Sequence, residues 1–353
     1  MEESIRSKVI ISQQMFLYIQ PILTISRFLG LSPVRYQKNG QNYIISLSYL
    51  YVAYSYLFGL VLAGSAVLGL VGDLKANPEH SLRVKDHKGA YVVSCDLGLM
   101  IIIVILGIFI SPFKIDKFFL ILASLNQIHL KLPTSIKEGP RKTSFIISFV
   151  SYFVFFGVLT YDFIGWCIQT NGKPSSKRLW NNIPVYILYV VSWTQEIYFW
   201  HMTYFVKRCV QALNTGLSLH IEDKGKNVKI VDPKVQQKVY SIDNMGRTAP
   251  SNTLVKNILT SQKAKTFIHV HRILFEVVNF INDWYGIPLM LILLSCFLQL
   301  IGTPYFMLSN TNEKSIVFSI LEVVWLFTHT SRLLIIVEAS HRCVKEVRTS
   351  RVK

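Results

Sequence analysis

Long apolar runs alternate with short polar segments along the chain. Six runs are long enough to cross the hydrocarbon core of a membrane as an α-helix, which takes about 20 residues. They cover residues 43–71, 91–113, 144–168, 183–206, 272–307 and 315–340. The pattern predicts an all-α fold, a polytopic bundle of membrane-spanning helices.

The remaining segments differ in character. Residues 1–42 contain an apolar stretch interrupted by Pro21, which predicts a short interfacial or re-entrant helix and no cleaved signal peptide. Residues 207–271 are rich in Lys, Asp, Gly and Asn and predict a polar loop with helical extensions on both sides. The predicted organisation is a terminal segment, four spans, a loop, two spans and a tail: 1–42, 43–206, 207–271, 272–340 and 341–353.

Composition and charge support a membrane protein with a defined orientation. Hydrophobic residues make up 51% of the chain and charged residues 16%, whereas soluble domains carry about 25% charged residues. Most of the 37 Lys and Arg residues lie in segments 1–42, 114–143, 207–272 and 341–353. Because cytoplasmic segments carry the excess of positive charge, we expect a cytoplasmic N-terminus and a cytoplasmic tail.

The net charge of +17 does not require a nucleic-acid partner. Cationic loops that face the anionic cytoplasmic leaflet account for it, and the sequence has no nucleic-acid motif. It also lacks the HExxH, P-loop, GxSxG and kinase motifs, so we expect neither an enzyme nor a cofactor. The hydropathy shows no inverted repeat, which disfavours a secondary transporter.

The five cysteines show no metal-binding spacing. Cys95 and Cys167 both fall in the outer halves of predicted spans, so a disulfide between them is conceivable. Free buried thiols that pack as small apolar groups are the favoured reading.

Three carboxylates lie at a similar depth within predicted spans: Asp96 in the second, Asp162 in the third and Glu322 in the sixth. Each is about six residues from the outer boundary, or roughly 9 Å deep. Ionisable residues within a membrane usually face the bundle interior or a water-filled cavity. We therefore expect these three carboxylates to line one outward-facing cavity.

Helical spacing adds further candidates. One face of the sixth span carries Glu322, Trp325, His329 and Arg332. The fourth span contributes Trp193 and Glu196, and the fifth contributes Asp283 and Trp284. Aromatic rings beside carboxylates suit a small polar organic ligand.

Two other readings of these residues stay open. Glu196, Asp283 and Arg332 can pair with one another to fix helix packing, and a carboxylate rim can concentrate cations at a pore mouth. His329 and Arg332 lie nearer the inner half of the bundle, where packing or gating contacts are expected.

Three stretches resemble the insect gustatory receptor family. "FLYIQPILTISRFLGLSPVRY" is similar to its N-terminal signature, with Leu-Gly-Leu-x-Pro after an apolar stretch. "FIHVHRILFEVVNFINDWYGIPLMLILLSCFLQLIGTPYFML" resembles its long fifth helix, and "LLIIVEASHRCVKEVRTSRVK" resembles the stretch after its sixth. The resemblance extends over essentially the whole chain.

The resemblance implies a ligand-gated cation channel of taste neurons. It also implies a multi-pass protein in the plasma membrane of the dendrites of these neurons. It implies a homo- or hetero-tetramer, with a small-molecule tastant bound in the outer half of helices two to six. A cytoplasmic anchor formed by the inner parts of the later helices would hold the subunits together. The lipid bilayer is the other expected partner.

The family motif of the seventh, pore-lining helix is Thr-Tyr, five apolar residues and Gln-Phe, and the sequence does not contain it. We therefore expect a chain that ends between helices six and seven. The alternatives are a transporter of another class and a non-conducting accessory subunit. The carboxylates favour polyols or cationic alkaloids over carboxylic acids, because like charges repel in a low-dielectric site.

Overall fold

The computed structural model describes residues 8–75, 87–131, 139–170, 179–229, 252–309 and 316–352. Eight α-helices occupy most of this part of the chain: α1 Gln13–Phe28, α2 Tyr49–Leu74, α3 His87–Ile110, α4 Ile115–Lys131, α5 Gly139–Thr170, α6 Ile183–Lys229, α7 Asn252–Ser309 and α8 Ile316–Val352. Residues 230–251, the middle of the predicted polar loop, lie outside the described residues.

Within the described residues, five helical segments are long and apolar enough to cross a membrane. They are Tyr49–Leu74, Ala90–Ile110, Phe145–Ile168, Lys265–Tyr305 and Ser319–Lys345. Large apolar side chains remain exposed on these helices, as on Leu60, Phe153 and Phe327, because lipid rather than protein covers them. The prediction of an all-α, polytopic membrane bundle is confirmed.

The predicted span at 183–206 lies in α6 but is not among those five segments. Helix α6 contacts every other helix that the structure describes. Its polar residues, such as Ser192, Thr194 and Gln195, are therefore buried against protein and lower its hydropathy. Mean hydropathy alone therefore fails to identify a membrane-spanning helix that is surrounded by other helices.

Three short strands precede the first span: β1 Lys8–Ser12, β2 Val34–Asn39 and β3 Asn42–Leu47, in the antiparallel order β1-β3-β2. The Gly40–Gln41 turn joins β2 to β3 with a positive φ at Gly40 alone, which suits a type II′ hairpin. Strand β3 corrects the predicted first span, because residues 43–47 pair in the sheet and the helix begins only at Tyr49.

Helix α4 occupies a segment that we interpreted only as a basic cytoplasmic loop. Its buried residues recur at helical spacing, and they are Ile115, Phe118, Phe119, Ile121, Leu122, Leu125 and Ile128. This face packs on α7 and β1, and the Asn126 side chain accepts a hydrogen bond from the Ser12 backbone N–H at 2.9 Å. The sheet, α1 and α4 therefore form one packed unit at the end of the bundle where α3 ends.

The structure also shows the predicted tail and the five cysteines. Helix α8 continues through residues 341–352 without a break. All five cysteines are free thiols, and Cys209, Cys296 and Cys343 are buried. The expectation of free buried thiols therefore describes these three, whereas Cys95 is exposed and Cys167 is half-buried.

Gly69 sets the approach of α2 to the turn before α6. A Cβ atom at this position would lie 2.8 Å from the backbone oxygen of Asn181, so the backbone would have to move. We expect Gly69→Ala to destabilise the protein by about 1–3 kcal/mol, the usual range for overpacking. Thermal unfolding of the purified protein in detergent measures this change.

Gly64 on the same helix is the matched control. A Cβ atom there meets nothing within 4 Å. Gly64→Ala is expected to be neutral or to stabilise the helix by up to about 1 kcal/mol. Equal unfolding temperatures for the two variants would contradict the close contact at Gly69.

Candidate functional site

Asp162 joins three helices near one end of the bundle. Its Oδ1 accepts a hydrogen bond from Nε1–H of Trp325 on α8 at 2.9 Å. Its Oδ2 accepts a hydrogen bond from the Tyr186 hydroxyl on α6. Asp162 is 6% exposed, so these donors supply the partners that a carboxylate needs away from water.

Asp96 joins a second set of helices beside the first. Its Oδ2 accepts a hydrogen bond from the Tyr189 hydroxyl on α6 at 3.0 Å, and its Oδ1 lies 3.5 Å from the Ser295 hydroxyl on α7. Gln299, one turn further along α7, donates from Nε2 to the Tyr189 oxygen at 3.4 Å. This set therefore links α3, α6 and α7.

The two sets meet through the rings of Tyr189 and Trp325, whose centroids are 5.5 Å apart. We call Asp96, Asp162, Tyr186, Tyr189 and Trp325 the outer polar cluster. Asp96, Asp162 and Trp325 each lie six residues inside the same end of their spans, about 9 Å along the helix axis. The structure therefore brings two of the three predicted carboxylates into one network.

Glu322, the third predicted carboxylate, lies on α8 three residues before Trp325 and on the same helix face. It is half-buried. Its place in the pocket stays a prediction.

A buried ion pair lies beneath the outer polar cluster. Arg332 on α8 donates from Nε to the Glu196 oxygens on α6 at 3.0 and 3.2 Å, and its Nη2 also reaches Glu196. Nη2 further donates to the Ser192 hydroxyl at 3.2 Å. Both charged side chains are 1% exposed. The alternative in which these charged residues pair to fix helix packing describes the observed geometry of Glu196 and Arg332, but not that of Asp283, which pairs with Lys117.

His329 connects the two layers. Its ring stacks on Trp325 with centroids 5.3 Å apart, and its Nδ1 lies 3.5 Å from Nη1 of Arg332. The predicted helical face of Trp325, His329 and Arg332 is therefore a continuous line of contacts.

Trp193, Asp283 and Trp284 make contacts other than those of the outer polar cluster. The indole of Trp193 stacks on Phe155 at 4.7 Å and is buried. Asp283 is half-exposed and forms an ion pair with Lys117 of α4 at 2.7 Å. The spacing along α7 could not reveal this pair, because its partner belongs to a helix that the sequence did not predict.

Trp284 lines a cleft at the other end of the bundle, near the end of α3. The cleft is partly open to the surroundings. Its walls include Gly107, Ser111, Gln195, Tyr198, Trp284, Tyr285 and Pro288. None of the three predicted carboxylates is among the residues that line this cleft.

Sequence reasoning missed four polar partners: Tyr186, Ser192, Ser295 and Gln299. A signal was present for one of them, because Ser192 lies four residues, about one helical turn, before the candidate residue Glu196. Among the described residues, no group of three or more His, Cys, Asp and Glu side chains is placed to hold a metal ion. The arrangement suits hydrogen bonding to an uncharged or cationic organic molecule.

Comparisons with known proteins agree with this architecture. A curated relative, the gustatory receptor for sugar taste 43a of Drosophila melanogaster, is 24% identical over 356 aligned positions. The alignment covers 93% of this chain and 81% of the relative. The profile of the 7tm chemosensory receptor family matches residues 19–349. The chain therefore belongs to the 7tm chemosensory receptor family.

Proposed function

We propose that the protein is a taste receptor whose outer polar cluster binds a small-molecule tastant. The observation that carries this proposal is the pair of carboxylates, Asp96 and Asp162, held by aromatic side chains within membrane-spanning helices. Polar groups at such depth are costly and mark functional sites. Family membership supplies the chemosensory context.

The ligand class that fits the cluster best is a polyhydroxylated molecule such as a sugar. Carboxylates accept hydrogen bonds from hydroxyl groups, and the rings of Tyr189 and Trp325 offer apolar surface for the faces of a sugar ring. The Drosophila relative is named for sugar taste. A cationic alkaloid is the competing class, because it too is attracted by the carboxylates.

The same proposal includes a role as a subunit of a ligand-gated cation channel in the plasma membrane of chemosensory dendrites. It rests on the resemblance to gustatory receptors, which also implies tetrameric assembly. A ligand favours the open state only by binding it more tightly than the closed state. The line from Trp325 through His329 to Arg332 is the route by which the cluster would report ligand contact.

Binding of hexoses to the purified protein tests the proposal. Hexoses, quinine as an alkaloid, and citrate are titrated, with tryptophan fluorescence and thermal unfolding as readouts. We expect hexoses to bind and citrate not to bind. Asp162→Asn is expected to weaken hexose binding about tenfold, because a neutral acceptor makes weaker hydrogen bonds than a carboxylate.

Asp283→Asn is the matched control, since it removes a carboxylate that pairs with Lys117 away from the cluster. It should leave hexose binding unchanged. Unaltered binding in Asp96→Asn, Asp162→Asn and Glu322→Gln alike would overturn the site. Hexose binding without hexose-evoked current in cells would overturn the conducting role and leave that of a non-conducting subunit.

A further inference from the structure

Arg27 lies between two tyrosine rings at the junction of the sheet and the first span. It belongs to the last turn of α1. Its guanidinium carbon is 4.8 Å from the ring centroid of Tyr36 on β2 and 4.9 Å from that of Tyr51 on α2. The two cation–π contacts hold the guanidinium in place.

The edge of the guanidinium, which carries its five N–H donors, is not used in this arrangement. In the described part of the chain, the side chain of Arg27 forms neither an ion pair nor a hydrogen bond. The neighbouring carbonyl of Phe28 already accepts a hydrogen bond from the Tyr54 hydroxyl at 2.6 Å. Arg27 therefore presents an ordered cation with free donors rather than a helix cap.

The position of Tyr51 sets the depth of Arg27 in the membrane. Helix α2 has 26 residues and is therefore about 39 Å long, whereas the hydrocarbon core is about 30 Å thick. The first turn of α2 consequently lies in the headgroup layer. Phe28, Tyr49 and Leu50 nearby are 74%, 83% and 78% exposed, as expected for side chains that contact lipid.

Charge around the site favours an anion. Lys38 is exposed and lies on the same face of β2 as Tyr36, two residues away. Arg35 is a further exposed cation on the same strand. A planar guanidinium with a free edge matches the oxygens of a phosphate group in bidentate geometry.

We propose that Arg27, held between Tyr36 and Tyr51, binds the phosphate group of an anionic membrane phospholipid. The exposed apolar side chains of Phe28 and Leu50 contact its acyl chains. The site couples the lipid to the sheet, to α1 and to the first span at once. It is separate from the outer polar cluster and does not depend on the identity of the tastant.

Native mass spectrometry of the full chain in detergent tests this proposal with phosphatidylserine and phosphatidylcholine as probes. We expect phosphatidylserine to bind more tightly than phosphatidylcholine. Arg27→Gln should weaken phosphatidylserine binding about tenfold, as expected for the loss of a charge-assisted hydrogen-bonded contact. Arg27→Lys should weaken it less, because the ammonium group keeps the charge but not the fork of donors.

Arg272→Gln is the matched control, since it removes one positive charge from an exposed arginine that pairs with Glu276. Equal phosphatidylserine affinity in Arg27→Gln and the parent would overturn the proposal, as would an equal loss in Arg272→Gln. Binding of the soluble headgroup glycerophosphoserine as tight as that of the lipid would also overturn it, since the site would then take free phosphate esters. Should Arg27→Gln fail to fold, the phosphatidylserine affinities of Arg27→Lys and Tyr51→Leu are compared with that of the parent instead, and both are expected to be weaker.

Discussion

Replacing Arg332 by methionine is expected to destabilise the protein by about 3–5 kcal/mol, the usual cost of breaking a buried ion pair. The substitution leaves the Glu196 carboxylate, 1% exposed, without its guanidinium partner. It also removes the donor to Ser192. Thermal unfolding in detergent, or the yield of folded protein when the loss is complete, measures the effect.

The double variant Glu196→Met with Arg332→Met distinguishes the cost of leaving one buried charge unpaired from the cost of removing the whole ion pair. Because the desolvation cost of both charges disappears, we expect it to be more stable than Arg332→Met alone. Glu338→Gln breaks an exposed pair with Arg342 on the same helix and should change the unfolding temperature little. Unfolding of Arg332→Met at the parent temperature would contradict the buried pair.

Replacing Asp162 by alanine is expected to have the second large effect. The Trp325 N–H and the Tyr186 O–H both lose their acceptor. Both hydrogen bonds are partly buried, so each lost acceptor costs about 1 kcal/mol, the lower end of the usual range, and the total is about 2 kcal/mol. Asp162→Asn should cost much less, because an amide can accept from Trp325 and donate to the tyrosine oxygen.

A double-mutant cycle checks the assignment. Trp325→Phe keeps an aromatic ring and removes the N–H donor. The stability losses of Asp162→Ala and Trp325→Phe should not add, since both remove the same hydrogen bond. Strictly additive losses in thermal unfolding would show that Asp162 and Trp325 do not interact.

Much of the bundle and part of the site follow from the sequence. Runs of apolar residues identify the spans because lipid imposes a length and a composition on them. The three-four spacing correctly placed Trp325, His329 and Arg332 in one line, since a helix face needs only local information. The sequence also predicted correctly that Asp96 and Asp162 lie at the same depth, because the depth of a residue in a span follows from its number of residues to the end of the span.

Other features depend on contacts between distant residues. The pairing of Asp283 with Lys117 joins positions 166 residues apart, and no local pattern encodes it. The apolar run at 43–71 contains a strand followed by a helix, and periodicity alone does not separate the two in a short apolar stretch. Sheet pairing between residues 8–12 and 42–47 likewise requires the tertiary fold.

The ion pair between α6 and α8 also has a consequence for the synthesis of the chain and its insertion into the membrane. Glu196 precedes Arg332 by 136 residues, which corresponds to about 7 to 27 s of synthesis at about 5–20 residues per second. An ionised carboxylate is costly in lipid, so during this interval the group has to stay protonated or in contact with water. The span that carries Glu196 thus enters the membrane before the residue that neutralises it has been synthesised, and its final placement depends on a helix that is translated much later.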